Sequence, residues 1–412
     1  MRSIELFAGA GGLALGLEKS GWHSQLLIER NTHACNTLRL NAAGGQSLTK
    51  NWHISEADVT TIDYSAITSP IDLVAGGPPC QPFSLGGKHN GREDKRDMFP
   101  EAIRAVRELR PKYFLFENVK GLLRQSFAEY FNYIVLRLRY PYEEKRSDES
   151  WQQHAERLIE VERSNCYEDS PHAYRLTWQL VDAADYGVPQ HRHRVIIVGV
   201  REDLGWEFEF PLATHGFDQL VVDKYLTGSY WAEYNMVPVS DSEIHRSART
   251  RLAKISGIPP ALFEPKNSLE RYATVYDAIH DLPKPLKKGC KEVANHFLQT
   301  GAKAYPGHTG SPLHFPSKAI KAGDHGVPGG ENMIAYLDKT YRYFSTREAA
   351  RIQTFPDNYI FTGSWGESMR QIGNAVPVKL GRVMGRALYE QATANTVDVK
   401  QKRPSLQSAG QD

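Results

Sequence analysis

The sequence predicts an α/β protein built on a mostly parallel sheet, with a second, smaller and irregular domain. Over the first 120 residues, short apolar runs alternate with helical patterns, which is typical of βαβ units. A glycine-rich turn directly follows the first apolar run. After Arg201 the periodicity weakens and Pro, Gly, Lys and His become frequent, which indicates a change of domain.

The elements of the sheet follow in chain order. Short apolar runs predict strands at residues 3–7, 24–29, 73–75, 113–117, 174–181 and 194–200. Helical spacing predicts crossing helices at 13–20 and 98–109. Regular pattern resumes at 346–354, and residues 378–391 are predicted to form a helix that returns to the first domain.

Two charged or polar segments interrupt this pattern. Residues 141–172 are strongly charged and leave only a narrow apolar stripe around Trp151 and Leu158, so we expect an inserted surface helix. Residues 396–412 lack apolar content and are predicted to be disordered.

The composition excludes several classes of protein. Of the 412 residues 41% are hydrophobic and 24% charged, which suffices to bury two or three cores. No run approaches the roughly 18 to 20 apolar residues of a membrane helix, and the N-terminus lacks a signal-peptide pattern. Four widely spaced cysteines without C-x-x-C pairs argue against disulfides and structural zinc. We therefore expect a cytoplasmic protein with no metal and no membrane partner.

Charge is unevenly distributed along the chain. The formal net charge is only +2, but residues 245–321 contain 13 Lys and Arg against 5 Asp and Glu. A surface with this excess can bind a polyanion through counterion release. A solvated, lysine-rich surface without a partner is the alternative interpretation.

Cys80 is the leading candidate for a nucleophile. It follows the apolar run 71–75, two glycines and the pair Pro78-Pro79. The prolines fix their φ angles and remove two backbone donors, so the thiol is presented at a stiff strand end. The alternative is a small buried cysteine in a proline-rich turn.

The glycine-rich turn predicts a nucleotide-like cofactor. It reads Phe7-Ala8-Gly9-Ala10-Gly11-Gly12, and its glycines permit a tight turn and close approach of a ligand. Glu29, at the end of the next strand, can bind ribose hydroxyls, and Asp58 would lie near the base. S-adenosylmethionine and a nicotinamide dinucleotide both suit this pattern, but a dehydrogenase does not account for Cys80.

Further candidates lie at the ends of two later strands. Glu117 ends the strand 113–117, which should place its carboxylate on the same edge as Cys80. Burial of an idle carboxylate is costly, which favours a functional role. Arg192 and Arg194 alternate along the start of another strand and should project to one side. One of them can pair with a carboxylate or bind substrate, and a purely structural ion pair is the alternative.

These segments, in this order, resemble the motifs of DNA (cytosine-5) methyltransferases of the bacterial restriction-modification type. The matching segments are Phe7-Ala8-Gly9-x-Gly11-Gly12, Gly77-Pro78-Pro79-Cys80-Gln81-Pro82-Phe83-Ser84, Glu117-Asn118-Val119, Gln190-x-Arg192-x-Arg194, Arg347-Glu348-x-x-Arg351-Ile352-Gln353-x-Phe355-Pro356 and Gly373-Asn374-Ala375-Val376-Pro377. The resemblance covers nearly the whole chain and implies a doubly wound, Rossmann-like methyltransferase domain. It implies a cofactor-binding and catalytic domain at 1–200 plus 371–395, a target-recognition domain at 201–345 and a hinge at 346–370.

The resemblance also implies a role for each matching residue. Cys80 would add to C6 of cytosine, Glu117 and Arg194 would hold the base, and Arg192 would be a second positioning cation. The residues implied to bind S-adenosylmethionine are Phe7, Ala8, Gly9, Ala10, Gly11, Gly12, Glu29, Asp58, Val59, Pro79, Asn374, Ala375 and Val376. Arg30 departs from the family, because some relatives carry an aromatic residue there that stacks on adenine.

Double-stranded DNA is the implied substrate, with the target base flipped out of the helix. Residues 81–97 have the composition of a mobile lid over a phosphate backbone. The predicted DNA contacts are Gln81, Ser84, Lys88, Arg92, Arg96, Lys287 and Lys288. We expect a monomer whose functional partner is a cognate restriction endonuclease.

Two alternatives share most of these motifs. A tRNA cytosine-5 methyltransferase has the same chemistry, although the long region between Arg201 and Arg347 favours reading of duplex DNA. A catalytically silent DNA-binding relative is disfavoured because Cys80, Glu117 and Arg194 are all present.

Overall fold

The structure, a computed structural model, describes residues 1–44, 47–79, 97–240, 244–255, 269–306, 309–322 and 330–401. The chain divides into two compact units: unit 1 is Met1–Leu180, Arg194–Pro211 and Gly381–Asp412, and unit 2 is Val181–His193 and Leu212–Leu380. The functional domains predicted above remain predictions, because compactness assigns no role to either unit. Within the described ranges, no helix combines the length and apolar character needed to cross a bilayer.

Unit 1 is built on a seven-stranded sheet with the order β3-β2-β1-β4-β5-β7-β6. Its strands are β1 (Arg2–Leu6), β2 (His23–Glu29), β3 (Ile54–Glu56), β4 (Leu73–Gly76), β5 (Tyr113–Val119), β6 (Tyr174–Asp182) and β7 (His193–Arg201). The pairs among β1 to β5 are parallel, whereas β7 is antiparallel to β5. The chain starts at the centre of the sheet and winds outward in both directions, which confirms the predicted doubly wound α/β fold.

Helices of unit 1 lie on both faces of this sheet, because right-handed crossovers that run in opposite directions place their helices on opposite sides. Ile4 and Leu6 of β1 share a buried apolar cluster with residues of α3 (Phe99–Leu109), α4 (Ala128–Arg139) and α5 (Trp151–Ser164). The other helices are α1 (Gly12–Glu18), α2 (Thr32–Ala43) and α12 (Val378–Gln401). Gly381 of α12 packs directly on Leu13 of α1.

Unit 2 consists of short elements joined by irregular segments, as the weak periodicity after Arg201 predicts. Its helices are α6 (Phe217–Tyr225), α7 (Ser229–Glu233), α8 (Arg246–Ile255), α9 (Val275–Ile279), α10 (Thr346–Ile352) and α11 (Trp365–Asn374). Its short strands are β8 (His215–Gly216), β9 (Glu270–Arg271), β10 (Ser311–Pro312), β11 (Met333–Ala335) and β12 (Tyr341–Tyr343).

Lys224 of α6 is a charged residue inside the core of unit 2. Its Nζ donates a hydrogen bond to the carbonyl oxygen of His314 at 2.8 Å. Four aromatic rings surround the amine, with centroids 3.8 to 5.3 Å away: Tyr225, Tyr230, Trp231 and Phe315. Burial lowers the pKa of Lys224 to about 7, while Asp277 opposes the shift and Arg271 adds to it.

The predicted tail is wrong at its start. Helix α12 extends to Gln401, so residues 396–401 are helical rather than disordered, and residues 402–412 lie outside the described residues. Helix propagation explains the difference, since each added residue forms one more backbone hydrogen bond even where apolar content is low. Within 141–172, where an inserted surface helix is expected, the structure contains α5.

Candidate active site

Parallel strands bring three predicted site residues, Phe7, Glu29 and Glu117, to one edge of unit 1. Across β2, β1, β4 and β5, the residues paired in one row are Ile28, Leu6, Gly76 and Phe116. The residues that follow them form the next row, at the carboxyl edge: Glu29, Phe7, Gly77 and Glu117. In doubly wound sheets, ligands bind at this edge near the reversal of strand order, which here lies between β1 and β4.

The loop after β1 is folded around the carboxylate of Glu29. The N–H of Gly9 donates to Oε2 and the N–H of Asn31 donates to Oε1, each at 2.8 Å. Gly9 and Gly11 have φ angles of 54° and 78°, a left-handed conformation that glycine adopts without steric cost. Helix α1 then begins directly at Gly12.

The remaining loop residues connect this turn to the sheet. The N–H of Ala8 donates to the carbonyl oxygen of Ile28 at 3.0 Å, and Ala10 is fully buried. Phe7 has a φ angle of 56°, which is strained for a bulky residue and is typical of ligand-binding sites.

Glu5 of β1 is a further buried carboxyl group, which was not among the predicted site residues. It lies between Ile4 and Leu6 on β1, so its side chain leaves the sheet on the face opposite to theirs. The residue is 2% exposed, and its Oε2 has no hydrogen-bond partner among the described residues. Burial, together with the negative charge of Glu29, raises the pKa of Glu5 well above its usual value. Its position inside the apolar run of the first strand is the signal that identifies it.

Asp58 and Val59 form the turn that follows β3. Asp58 accepts a hydrogen bond from the N–H of Thr60 at 3.0 Å, and Arg30 lies 3.4 Å from its other carboxylate oxygen. These contacts, led by the Thr60 backbone, lower the pKa of Asp58 and keep it ionised. Val59 is buried in the apolar cluster of unit 1.

The residues of this loop fit S-adenosylmethionine. No described atom lies within 4 Å of the position that a Cβ on Gly9 would occupy, so the loop leaves room for a ligand. The Glu29 carboxylate retains lone pairs for two ribose hydroxyls. Residues 7–12 include no Lys or Arg to neutralise a pyrophosphate, which S-adenosylmethionine does not contain.

Three described residues near the predicted nucleophile Cys80 have hydrogen-bonded backbone positions, and we call them the neck: Pro78, Pro79 and Met98. Nδ2 of Asn118 donates to the carbonyl oxygen of Pro78 at 3.0 Å. The N–H of Met98 donates to the carbonyl oxygen of Pro79 at 3.2 Å. The two carbonyls that precede Cys80 are therefore held by the end of β5 and by the start of α3.

Several predicted residues lie outside the described residues. They are Cys80 and the proposed DNA contacts Gln81, Ser84, Lys88, Arg92 and Arg96. The predicted lid, residues 81–97, falls there too except for Asp97.

Glu117 of β5 and Arg194 of β7 form an ion pair at the carboxyl edge. Their side chains are only 11% and 13% exposed. Arg194 lies opposite Val119 across the antiparallel pair, so it shares a face with Glu117. Oε2 of Glu117 lies 3.2 Å from the position that a Cβ on Gly77 would take, so glycine leaves room for the carboxylate there. The arginine that pairs with the predicted carboxylate is therefore Arg194.

Arg192 has a different environment from Arg194. It is 1% exposed, and its guanidinium donates to the carbonyl oxygens of Ile320, Gly373 and Ala375 at 2.6 to 3.1 Å. This placement favours a structural role over the predicted contact with substrate.

The contacts of Arg192 hold the turn that carries Asn374, Ala375 and Val376. Gln353 donates to two carbonyl oxygens of the same turn, at 2.7 and 3.2 Å. Asn374 is exposed, whereas Ala375 and Val376 are buried. The turn is thus held rigidly within unit 2.

Lys287 and Lys288 are exposed on an irregular segment of unit 2. Two apolar side chains of this segment, Leu286 and Phe297, are 46% and 48% exposed and form a short parallel bridge. An exposed surface that carries lysines is compatible with the predicted DNA contact, which stays a prediction. Among the described residues, no group of three or more His, Cys, Asp or Glu is arranged to hold a metal ion.

A family model described as C-5 cytosine-specific DNA methylase matches residues 1–140 and 168–390. The match covers most of the chain, and the part it omits contains helix α5.

Curated relatives include three type II methyltransferases. M.PspPI of Psychrobacter sp. (strain TA137) is 32% identical over 96% of this chain and 80% of its own length. M.Eco47II of Escherichia coli is 32% identical over 93% of this chain and 78% of its own. M.NgoMIV of Neisseria gonorrhoeae is 30% identical over 94% of this chain and 97% of its own length.

Solved structures share the fold at lower identity. Spodoptera frugiperda DNMT2, crystallised as a triple mutant, superposes with a TM-score of 0.54 at 15% identity and covers 94% of this chain and 99% of its own. The S. pombe Dnmt2 methyltransferase gives a TM-score of 0.51 at 16% identity and covers 95% of this chain and 99% of its own. At this level of identity the likeness supports the fold alone.

Proposed function

We propose how this chain, which belongs to the C-5 cytosine-specific DNA methylase family, carries out the cytosine methylation of that family. The chain is a DNA cytosine methyltransferase, and DNA is its substrate. In our proposal Cys80 attacks the base, while Glu117 and Arg194 hold it. The observation that supports this most directly is the Glu117–Arg194 ion pair at the strand edge that also carries the neck before Cys80.

The chemistry explains the need for a nucleophile. C5 of cytosine is too weakly nucleophilic to accept a methyl group unaided, so electron density must be raised by addition at C6. The thiolate of Cys80 forms a bond to C6, and the electron pair of the C5–C6 double bond becomes available at C5. After methylation, loss of the C5 proton to a base restores the double bond and expels the thiolate.

Glu117 and Arg194 support this addition. A carboxyl group that reaches N3 and the exocyclic amine stabilises the ring as negative charge develops on it. The guanidinium of Arg194 donates to the base carbonyl and orients Glu117. Before the base enters, each group neutralises the other, which keeps two nearly buried charges compatible with the fold.

S-adenosylmethionine, when bound, supplies an electrophilic methyl group on a sulfonium. Glu29 would accept hydrogen bonds from the ribose hydroxyls, and Asp58 and Val59 would lie beside the adenine. Gly9 and Gly11 would let the backbone approach the cofactor closely.

The biological role we propose is modification of a specific duplex sequence, with host DNA protected from a cognate restriction endonuclease. The curated relatives above are type II methyltransferases, which supports a DNA target over tRNA. The target nucleotide must be flipped out, because C6 cannot be attacked inside the stack. A monomer in the bacterial cytoplasm is the setting we propose.

Substitution of Cys80 tests the mechanism. Cys80→Ser should abolish methyl transfer and leave cofactor binding intact, because the thiol attacks the base and the Glu29 loop is untouched. DNA that contains 5-fluorocytosine should trap the wild-type enzyme covalently, since fluorine cannot leave as a proton does. Bisulfite sequencing first maps the target sequence, so that both experiments use a verified site. Substantial turnover by Cys80→Ser would contradict covalent catalysis by this thiol.

A further inference from the structure

Residues 141–167 fall outside the match to the family model, yet they are packed into unit 1. Helix α5 begins at a capping box in which Ser150 and Gln153 exchange hydrogen bonds. Leu158 is fully buried in the apolar cluster of the sheet. A surface appendage does not bury a side chain in this way, so the insertion contributes to the structure of the catalytic unit.

The insertion contacts α4 through an aromatic cluster. The ring of Trp151 meets Tyr130 edge-on at a centroid distance of 5.8 Å and lies 5.6 Å from Tyr133. The hydroxyl of Tyr133 is hydrogen-bonded to Nδ1 of His154 at 2.8 Å, within the same cluster. Both tyrosines are buried, but their hydroxyl groups have different partners.

The hydroxyl of Tyr130 donates to the Oδ2 carboxylate oxygen of Asp97. The Oδ1 of Asp97 accepts a hydrogen bond from the N–H of Phe99 at 3.1 Å, at the start of α3. The next residue, Met98, holds the carbonyl oxygen of Pro79. Trp151, Tyr130 and Asp97 thus form a continuous path from the insertion to the neck, and Pro79 is bonded covalently to Cys80.

We propose that Tyr130, supported by Trp151 of the insertion, is a positioning residue for methyl transfer. It fixes Asp97 and the neck, and so determines where the backbone presents the nucleophile. The inference rests on the proposed role of Cys80. Attack on C6 requires an accurate approach of the thiolate, and a misplacement of about 1 Å can reduce a rate on the order of a hundredfold.

Tyr130→Phe tests this, with Tyr133→Phe as the matched control. Both variants delete one buried hydroxyl from the same cluster and keep the ring, but the Tyr130 hydroxyl is hydrogen-bonded to Asp97 and the Tyr133 hydroxyl to His154. Tyr130→Phe should lower kcat, and the single-turnover rate of adduct formation with 5-fluorocytosine DNA, by about tenfold to a hundredfold. The Kd for cofactor and for DNA should change by less than about threefold, and Tyr133→Phe should retain the wild-type rate.

A double-mutant cycle adds an independent measurement. If Tyr130 acts through Asp97, the rate losses of Tyr130→Phe and Asp97→Asn will be strongly non-additive. Trp151→Leu should cause a smaller loss in the same step.

Three results would overturn the inference: an unchanged rate in Tyr130→Phe, equal losses in Tyr130→Phe and Tyr133→Phe, or a parallel loss of cofactor affinity. Each would reduce the cluster to a structural role. Full turnover by Cys80→Ser would instead overturn the proposed function on which the inference depends, so the two failures are distinguishable.

Discussion

Substitution of Glu29 should separate two roles of its carboxylate: holding the glycine loop in its fold and binding the ribose of the cofactor. The carboxylate accepts backbone N–H groups from Gly9 and Asn31, both at 2.8 Å. In Glu29→Gln the amide oxygen can accept only one of these, and the amide nitrogen faces the other donor. The negative charge that would strengthen hydrogen bonds from the ribose is lost as well.

The expected magnitude follows from these contacts. Hydrogen bonds to charged groups contribute about 1.5 to 3 kcal/mol and neutral ones about 1 kcal/mol. Replacement of a charged acceptor by a neutral one should therefore cost about 0.5 to 2 kcal/mol for each of the two ribose hydrogen bonds, or about 1 to 4 kcal/mol of cofactor binding in all. This range includes a roughly tenfold to hundredfold increase in Kd. Glu29→Ala should fall in the same range or above it.

Isothermal titration calorimetry with two ligands measures the effect. S-adenosylhomocysteine and its 2′,3′-dideoxy analogue are titrated into wild type, Glu29→Gln and a control, Glu56→Gln, whose carboxylate lies on the adjacent strand and pairs with Arg39. If Glu29 binds the ribose directly, the substitution should weaken S-adenosylhomocysteine far more than the analogue. Equal losses for both ligands would restrict Glu29 to a role in folding the loop, and unchanged affinities would refute the assignment of the cofactor site.

The remaining predictions concern the base site, the core of unit 2 and the recognition surface. Glu117→Gln should lower kcat but leave the cofactor Kd within about threefold, as measured by single-turnover kinetics and calorimetry, and the reverse pattern would contradict our assignment. Lys224→Met should raise the free energy of unfolding by a few kcal/mol below about pH 7, because it removes an ammonium group whose burial is unfavourable in the folded chain. That gain should shrink as the pH rises from about 7 towards the unfolded pKa of about 10.4, whereas the exposed control Lys254→Met should show no such trend in urea unfolding. Neutralisation of Lys287 and Lys288 together should weaken target and non-target duplex by similar factors and flatten the salt dependence of Kd, so a loss confined to the target sequence would argue for base recognition instead.

Local sequence pattern was sufficient for the parts of the site that lie within one strand and its turn. The left-handed glycines between Phe7 and Gly12, and Glu29 at the end of β2, follow from a strand, a turn and the next strand. Their geometry depends on a few neighbouring residues, so a pattern of glycine and alternating apolar positions predicts it. The same local rules failed at 396–401, where low apolar content concealed the continuation of α12.

Contacts between distant segments required the tertiary structure. The sequence offered Arg192 and Arg194 as equivalent partners for a carboxylate, but β7 pairs with β5 in a register that brings Arg194 to Glu117. Arg192 instead donates hydrogen bonds to the carbonyl oxygens of residues 320, 373 and 375. Neither outcome is encoded in the spacing of the two arginines.

By itself, then, the sequence determined the family, the doubly wound class of fold and the residue types at each strand end, because these depend on local order along the chain. Only the tertiary structure decided that Glu5 is buried beside Glu29, that Arg194 rather than Arg192 pairs with Glu117, and that Tyr130 holds Asp97. The physical reason is that strand register and helix packing select which of many chemically equivalent groups meet. Those selections depend on side chains that are far apart in the sequence and packed together only in the folded protein.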